Sequence, residues 1–154
     1  MLQKILTEQD CAECKLCCGF FKSEIWEVPV IDDNLTRLLG AKYNYEFDKK
    51  NNRIFKITYD EKGLCKCPVL GENGCKLGNR RPFDCKIWPF RVMKLGEFTV
   101  IALSPLCKKI NQKPLSEITE FVNGEFLEII KARVSIDPAL VKDYVDGYVT
   151  IKII

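Results

Sequence analysis

The chain contains no histidine, which removes the commonest general acid or base at neutral pH and every imidazole metal ligand. It also has no apolar run near the roughly 20 residues that a membrane-crossing helix requires, so no membrane role is expected. Neither G-x-G-x-x-G nor G-x-x-x-x-G-K-[ST] occurs. Gly71, Gly74 and Gly78 fit neither pattern, so the sequence gives no support for a nucleotide-binding loop. The opening residues, Met1 to Glu8, lack the apolar stretch of a secretory signal. Net charge is only +3, and the basic pairs Lys49-Lys50, Arg80-Arg81 and Lys108-Lys109 are scattered among acids. That balance disfavours nucleic acid as a partner. Internal repeats and low-complexity tracts are also lacking.

Cysteine is what the chain has in excess, nine in 154 residues. With no export signal, these thiols are expected in a reducing compartment, the cytoplasm, where they bind metals and do not pair as disulfides. The strongest signal is Cys11-Ala-Glu-Cys14-Lys-Leu-Cys17-Cys18. Two cysteines separated by two residues can turn their sulfurs onto one ion or cluster, and here that spacing repeats twice. Such runs occur in iron–sulfur proteins, whereas tetrathiolate zinc sites take two separate pairs; the spacing leaves both open. Adjacent side chains point apart, so Cys17 and Cys18 are expected to face different atoms. That favours two nearby centres, a polynuclear cluster, or one thiol acting from outside the coordination shell.

Buried cysteine without a ligand role is common in cores, and Cys65 and Cys107 are the cases most open to it. Four thiols in eight residues are poor core filler. Trp26, Trp88 and the phenylalanines read as core, and Asp32-Asp33 and Glu24/Glu27 as caps or solvated turns. Without histidine, any transition metal must rely on sulfur.

The fold class expected is α+β in a single domain, 1–154. Residues 11–18 read as a loop or an irregular helix start, anchored by Phe20 and Phe21. Asp32-Asp33-Asn34 before Leu35, with Gly40 after Leu39, predicts a short helix. Two β-hairpins are expected, one from 43–47 and 54–59, the other from 87–92 and 98–103, with Pro89 limiting its strand to an edge or early position. Between them, 61–86 reads as a long loop that needs something to order it. Ile118, Phe121, Val122, Phe126, Ile129, Ile130 and Val134 recur at helical spacing and predict one long amphipathic helix. Asp137-Pro138 then predicts a further short helix ending near Gly147, and 148–154 a terminal strand.

The ordered set CxxCxxCC, Cys67-Pro-Val-Leu, Gly74-Cys75, Arg81-Pro-Phe-Asp-Cys85 with Trp88-Pro-Phe90 after it, and a late Cys107 resembles the CxxCxxCC cysteine-cluster family. This is the YkgJ-type zinc- or iron-chelating domain. The resemblance spans 11–107 and leaves 108–154 as a helical and strand extension. It implies metal ligands at Cys11, Cys14, Cys17, Cys18, Cys67, Cys75, Cys85 and Cys107, with Cys65 as the extra or in exchange with Cys67. A related domain in flagellin lysine methylases is associated with iron–sulfur binding, which tilts the expectation toward an iron–sulfur cluster or iron, with zinc as the alternative. Arg81, Lys15 and the backbone N–H groups beside Gly19 and Gly74 are the candidates for hydrogen bonds to thiolate sulfur.

Three functions follow as expectations. The first is a metal-binding protein, iron–sulfur in type, that transfers electrons, senses redox state or supports a partner enzyme. The second is a structural zinc module that presents a surface to another protein or to RNA. The third is an enzyme or enzyme subunit in protein modification, using an open coordination position or a reactive Cys65.

Overall fold

The computed structural model describes residues 1–154, apart from the side chains of Glu8, Glu24 and Ile25. The turn or cap role expected of Glu24 therefore lies outside the described side chains. The fold is mixed α and β, as the class expected, and its backbone clusters into two compact units. One is Cys11–Lys86; the other joins Met1–Asp10 to Ile87–Ile154.

Helix α1, Glu8–Cys14, starts at a reciprocal cap. The Asp10 backbone N–H donates to Thr7 Oγ1 at 3.1 Å, while the Asp10 carboxylate accepts from the Thr7 N–H at 3.1 Å and its hydroxyl at 2.7 Å. Two N–H groups that a helix start leaves unpaired are thereby satisfied. The Thr7 hydroxyl, together with Lys109 at 3.1 Å, holds the Asp10 carboxyl down at about 2. Lys15, at φ 52°, ends the helix, and a 3₁₀ turn follows over Leu16–Cys18. Of the two expectations for 11–18, a loop or an irregular helical segment, the second is what forms: α-helical through Cys14 and then a 3₁₀ turn.

The Cys11–Lys86 unit contains β1 (Gly19–Phe21), α2 (Asp33–Leu39), β2 (Tyr45–Phe47), β3 (Arg53–Phe55), β4 (Leu64–Lys66), β5 (Leu70–Gly71) and β6 (Gly74–Cys75). Helix α3, Phe83–Ile87, begins in it. Asp32 caps α2 by accepting from the Leu35 N–H at 2.7 Å, and Gly40, at φ 57°, takes the left-handed conformation that stops it. Strands β2 and β3 pair antiparallel, with the Tyr43 and Tyr45 rings 5.7 and 5.8 Å from Phe55. Three two-stranded sheets make up the β structure here: β1–β4, β2–β3 and β5–β6.

Segment 61–86 is therefore not one irregular loop. Its backbone groups pair with β1 and within the β5–β6 ribbon, which orders it locally. Ile31, Leu35, Ile54, Phe55, Cys65, Cys67 and Val69 share one buried cluster. Phe20 joins it, but Phe21 is half exposed, because successive strand residues face opposite sides. Only Phe20 anchors the first cysteine group.

The other unit contains β7 (Phe90–Leu95), β8 (Phe98–Leu103), α4 (Lys108–Asn111), α5 (Leu115–Phe121), α6 (Leu127–Ile136), β9 (Lys142–Asp143) and β10 (Val149–Ile153). Its sheet order is β10-β8-β7-β9, antiparallel except for β7 with β9. Pro89 falls just before β7, where its missing N–H removes no ladder bond; its carbonyl accepts from the Ser104 N–H at 2.9 Å. The long helix expected over 118–134 is instead two helices. Gly124, at φ −84° and ψ −148°, breaks the path within a wider turn over Val122–Phe126. Glycine's low helix propensity allows that break while Ile118, Val122, Phe126 and Ile130 remain buried. Asp137 and Pro138 do stand at the N-cap and first position of a helix, but it is a 3₁₀ turn of Pro138–Leu140 that stops well short of Gly147, and the Asp137 carboxylate faces Arg133 at 3.4 Å without capping it. Among the described residues, no helix is long and apolar enough to cross a membrane.

Phe90 is fully buried, its ring 5.7 Å from Phe121 and 5.1 Å from Phe126. Phe90→Ala is expected to cost about 3–5 kcal/mol in chemical denaturation, through lost burial and the cavity left behind. Asp32→Ala, which removes one cap, is expected to cost only about 1 kcal/mol.

Candidate metal centre

Eight of the nine cysteines lie in the Cys11–Lys86 unit, and Cys107 lies in the other. Cys11 and Cys14 sit one turn apart on α1, Cys11 half-buried and Cys14 exposed. Cys17 and Cys18 end the 3₁₀ turn and lead directly into β1.

Strands β1 and β4 are the structural link. Gly19 pairs with Lys66, Phe20 with Cys65 and Phe21 with Leu64. Continued one residue outward, that register sets Cys18 opposite Cys67, and the Cys67 N–H donates to the Cys18 carbonyl at 2.7 Å. Residues directly opposite in an antiparallel pair carry Cβ atoms about 5 Å apart. Cys17, Cys65 and Cys75 all lie close enough to Cys67 to act on its ionisation. Cys75 is held by β6, opposite Leu70 on β5. The ribbon also meets α1: a Cβ placed on Gly74, at φ 99°, would lie 3.6 Å from the Ala12 methyl. The structure thus brings Cys17, Cys18, Cys67 and Cys75 into one neighbourhood, with α1 alongside.

The remaining expected ligands are placed differently. Cys85 is half-buried on α3, its N–H donating to the Pro82 carbonyl at 3.0 Å. Cys107 is buried at the start of α4, where its carbonyl accepts from both the N–H and the Nδ2 of Asn111 at 3.0 Å. Cys65 is buried with its thiol directed to the Lys66 carbonyl at 3.1 Å. None of the nine is bridged to another. Among the described residues, no three cysteine, aspartate or glutamate side chains converge as a ready-made metal shell.

The polar neighbours expected around the thiols bond elsewhere. Arg81 donates its Nε–H to the Gly78 carbonyl at 3.0 Å, which is local turn geometry. Lys15 extends its ammonium to the Glu72 carbonyl and so ties the first cysteine turn to the β5–β6 turn. The Thr7–Asp10 cap has a sequence signature, T-x-x-D ahead of the first cysteine. The Cys18–Cys67 opposition has only a faint sequence signal, the period-2 spacing of Cys65 and Cys67.

Burial pushes the Cys67 thiol up to about 11; the Val69 N–H opposes this, and the neighbouring Cys75, Cys17 and Cys65 reinforce it. Burial likewise raises Cys65. Such thiols hold their protons at neutral pH, so a metal ion must displace them, and affinity rises with pH. In the metal-free, reduced chain the sign is fixed by proton counts. Below about pH 9 both folded and unfolded forms keep the Cys67 proton; between about 9 and 11 only the unfolded form loses it. Stability is therefore expected to fall across that window by about 2–3 kcal/mol and to level off above it. Denaturation at stepped pH, with Cys67→Ala showing the shallower decline, checks this.

Searches against family descriptions, curated proteins and solved structures match nothing to this chain.

Proposed function

We propose that the protein binds a metal centre through its cysteine cluster, an iron–sulfur cluster in preference to a single ion, and serves in electron transfer, redox sensing or support of a partner enzyme. The observation that supports this reading is the backbone pairing of Cys18 with Cys67, which sets the CxxCxxCC segment beside a second cysteine segment in a chain without histidine. Thiolate donors suit zinc and iron–sulfur clusters alike. Adjacent side chains point apart, so Cys17 and Cys18 would serve different metal atoms, which favours a polynuclear centre over a single ion. A bound cluster would supply one-electron chemistry. The chain's own part is to hold the thiols on short helices, turns and strand ends, to partly exclude water at Cys67, and to leave Cys14 at the surface. Closing the coordination shell requires the thiols to turn toward a common point.

A structural zinc site is the second reading, favoured by a different observation. The Cys11–Lys86 unit has no sheet larger than two strands, and small loop-rich units usually need a metal or cross-link. A nucleophilic Cys65 has less support, because burial raises its thiol and withdraws it from solvent. A protein partner and the cytoplasm remain the proposed setting.

Anaerobic purification with metal and acid-labile sulfide analysis, followed by visible and EPR spectra, is expected to show iron with sulfide and a signal that responds to dithionite. Colourless protein with stoichiometric zinc would reject the iron form, and absence of both metals after reconstitution would reject the centre. Cys67→Ser is expected to lose most of the bound metal, whereas Cys65→Ala keeps it. Loss of metal from Cys65→Ala with retention in Cys67→Ser would exchange the two assignments.

A further inference from the structure

The β1–β4 ribbon has two faces of opposite character. Phe20 and Cys65, paired with each other, turn inward to the buried cluster. The outward face carries Phe21, 50% exposed, opposite Leu64, which is half-buried. Leu64 also lies over the space beside Gly19: a Cβ there would sit 3.8 Å from the Leu64 Cδ1 and 3.6 Å from the Leu16 carbonyl. Leu16, in the turn before β1, is 45% exposed. These residues form an apolar strip.

Lys66 shares the face of the strip, and Lys22 and Lys62 stand at the end of the ribbon beyond Phe21 and Leu64. Lys66, exposed, stands opposite Gly19. Lys22 follows Phe21, and its N–H donates to the Gly63 carbonyl at 3.0 Å, which sets it beside the turn that carries Lys62. Lys22, Lys62 and Lys66 are all exposed and form no ion pair among the described residues. Of the nearby acids, Asp60 uses its carboxylate on the Lys62 and Leu64 N–H groups at 2.9 Å, which leaves Glu61 as the exposed acid of the turn.

We propose that this outward face is a docking surface for an acidic protein partner, one that places an apolar side chain against Phe21 and Leu64 and carboxylates against Lys22, Lys62 and Lys66. An apolar centre with a charged rim is the arrangement by which protein interfaces combine affinity with steering. Single-stranded RNA fits less well: the rim has no arginine, Phe21 is the only aromatic on the strip, and the chain's net charge is small. The proposal rests on the metal-centre reading for its purpose, since a partner seated here would lie one strand layer from Cys65 and its neighbour Cys67. Its binding surface does not depend on that reading.

The test uses the full-length, reduced protein as isolated and a random peptide library displayed on phage. Selected peptides are expected to be acidic with an apolar centre. Their affinity, read by fluorescence anisotropy, is expected to weaken at least about tenfold in a Lys22→Glu, Lys62→Glu, Lys66→Glu variant. Phe21→Ser is expected to weaken it by a comparable factor. Lys49→Glu, Lys50→Glu, Lys56→Glu, which makes the same change in net charge elsewhere on the unit, is expected to leave it unchanged. Circular dichroism of each variant separates lost binding from lost folding. Selected peptides without acidic bias, equal loss in both triple variants, or tighter binding of a polyuridine oligonucleotide that competes for the same lysines would overturn the proposal. Metal analysis of the same samples keeps the two readings apart: lysine-dependent peptide binding without metal retains the surface and rejects the centre, and metal without lysine dependence does the reverse.

Discussion

One backbone hydrogen bond organises the cysteine-bearing unit, from the Cys67 N–H to the Cys18 carbonyl at 2.7 Å. It extends the β1–β4 register by one step and thereby decides which residues face inward. A slip of one residue would turn Phe20 and Cys65 to solvent and bring Phe21 and Lys66 into the core. The burial of Phe20, the exposure of Phe21 and the meeting of the two cysteine segments all depend on this alignment.

The same alignment creates a chemical tension at Cys67. Its thiol is packed with apolar side chains and with other sulfurs, so the thiolate is disfavoured and the proton retained. Metal ligation requires the thiolate. Under the proposed metal centre, a cation would offset that cost by supplying the charge that the surroundings lack, and coordination would then be linked to folding in a unit whose sheets have only two strands each. The Met1–Asp10 and Ile87–Ile154 unit has no such need. Its four-stranded sheet buries Val92, Met93, Val100 and Ile101, and stacked phenylalanines close its core.

Much of the local structure was legible. Asp32 and Gly40 bound α2 by cap chemistry that acts within a few residues, and the β-branched and aromatic runs mark β3, β7, β8 and β10. The readings that failed share a cause. The break at Gly124 lies inside an uninterrupted apolar periodicity, which reports the buried face and not the continuity of the axis. Segment 61–86 looks irregular because strands of two or three residues are too short to show alternation.

By itself the sequence determined the donor chemistry: nine thiols, no imidazole, and the spacing that puts Cys11 and Cys14 within one helical turn. It also determined the caps and the apolar faces, since these are interactions between near neighbours in the chain. Only the tertiary structure decided that Cys18 meets Cys67, that Cys75 approaches the same point and that Cys65 turns to the Lys66 carbonyl. The first of these depends on the register between strands more than forty residues apart, and no local preference encodes it.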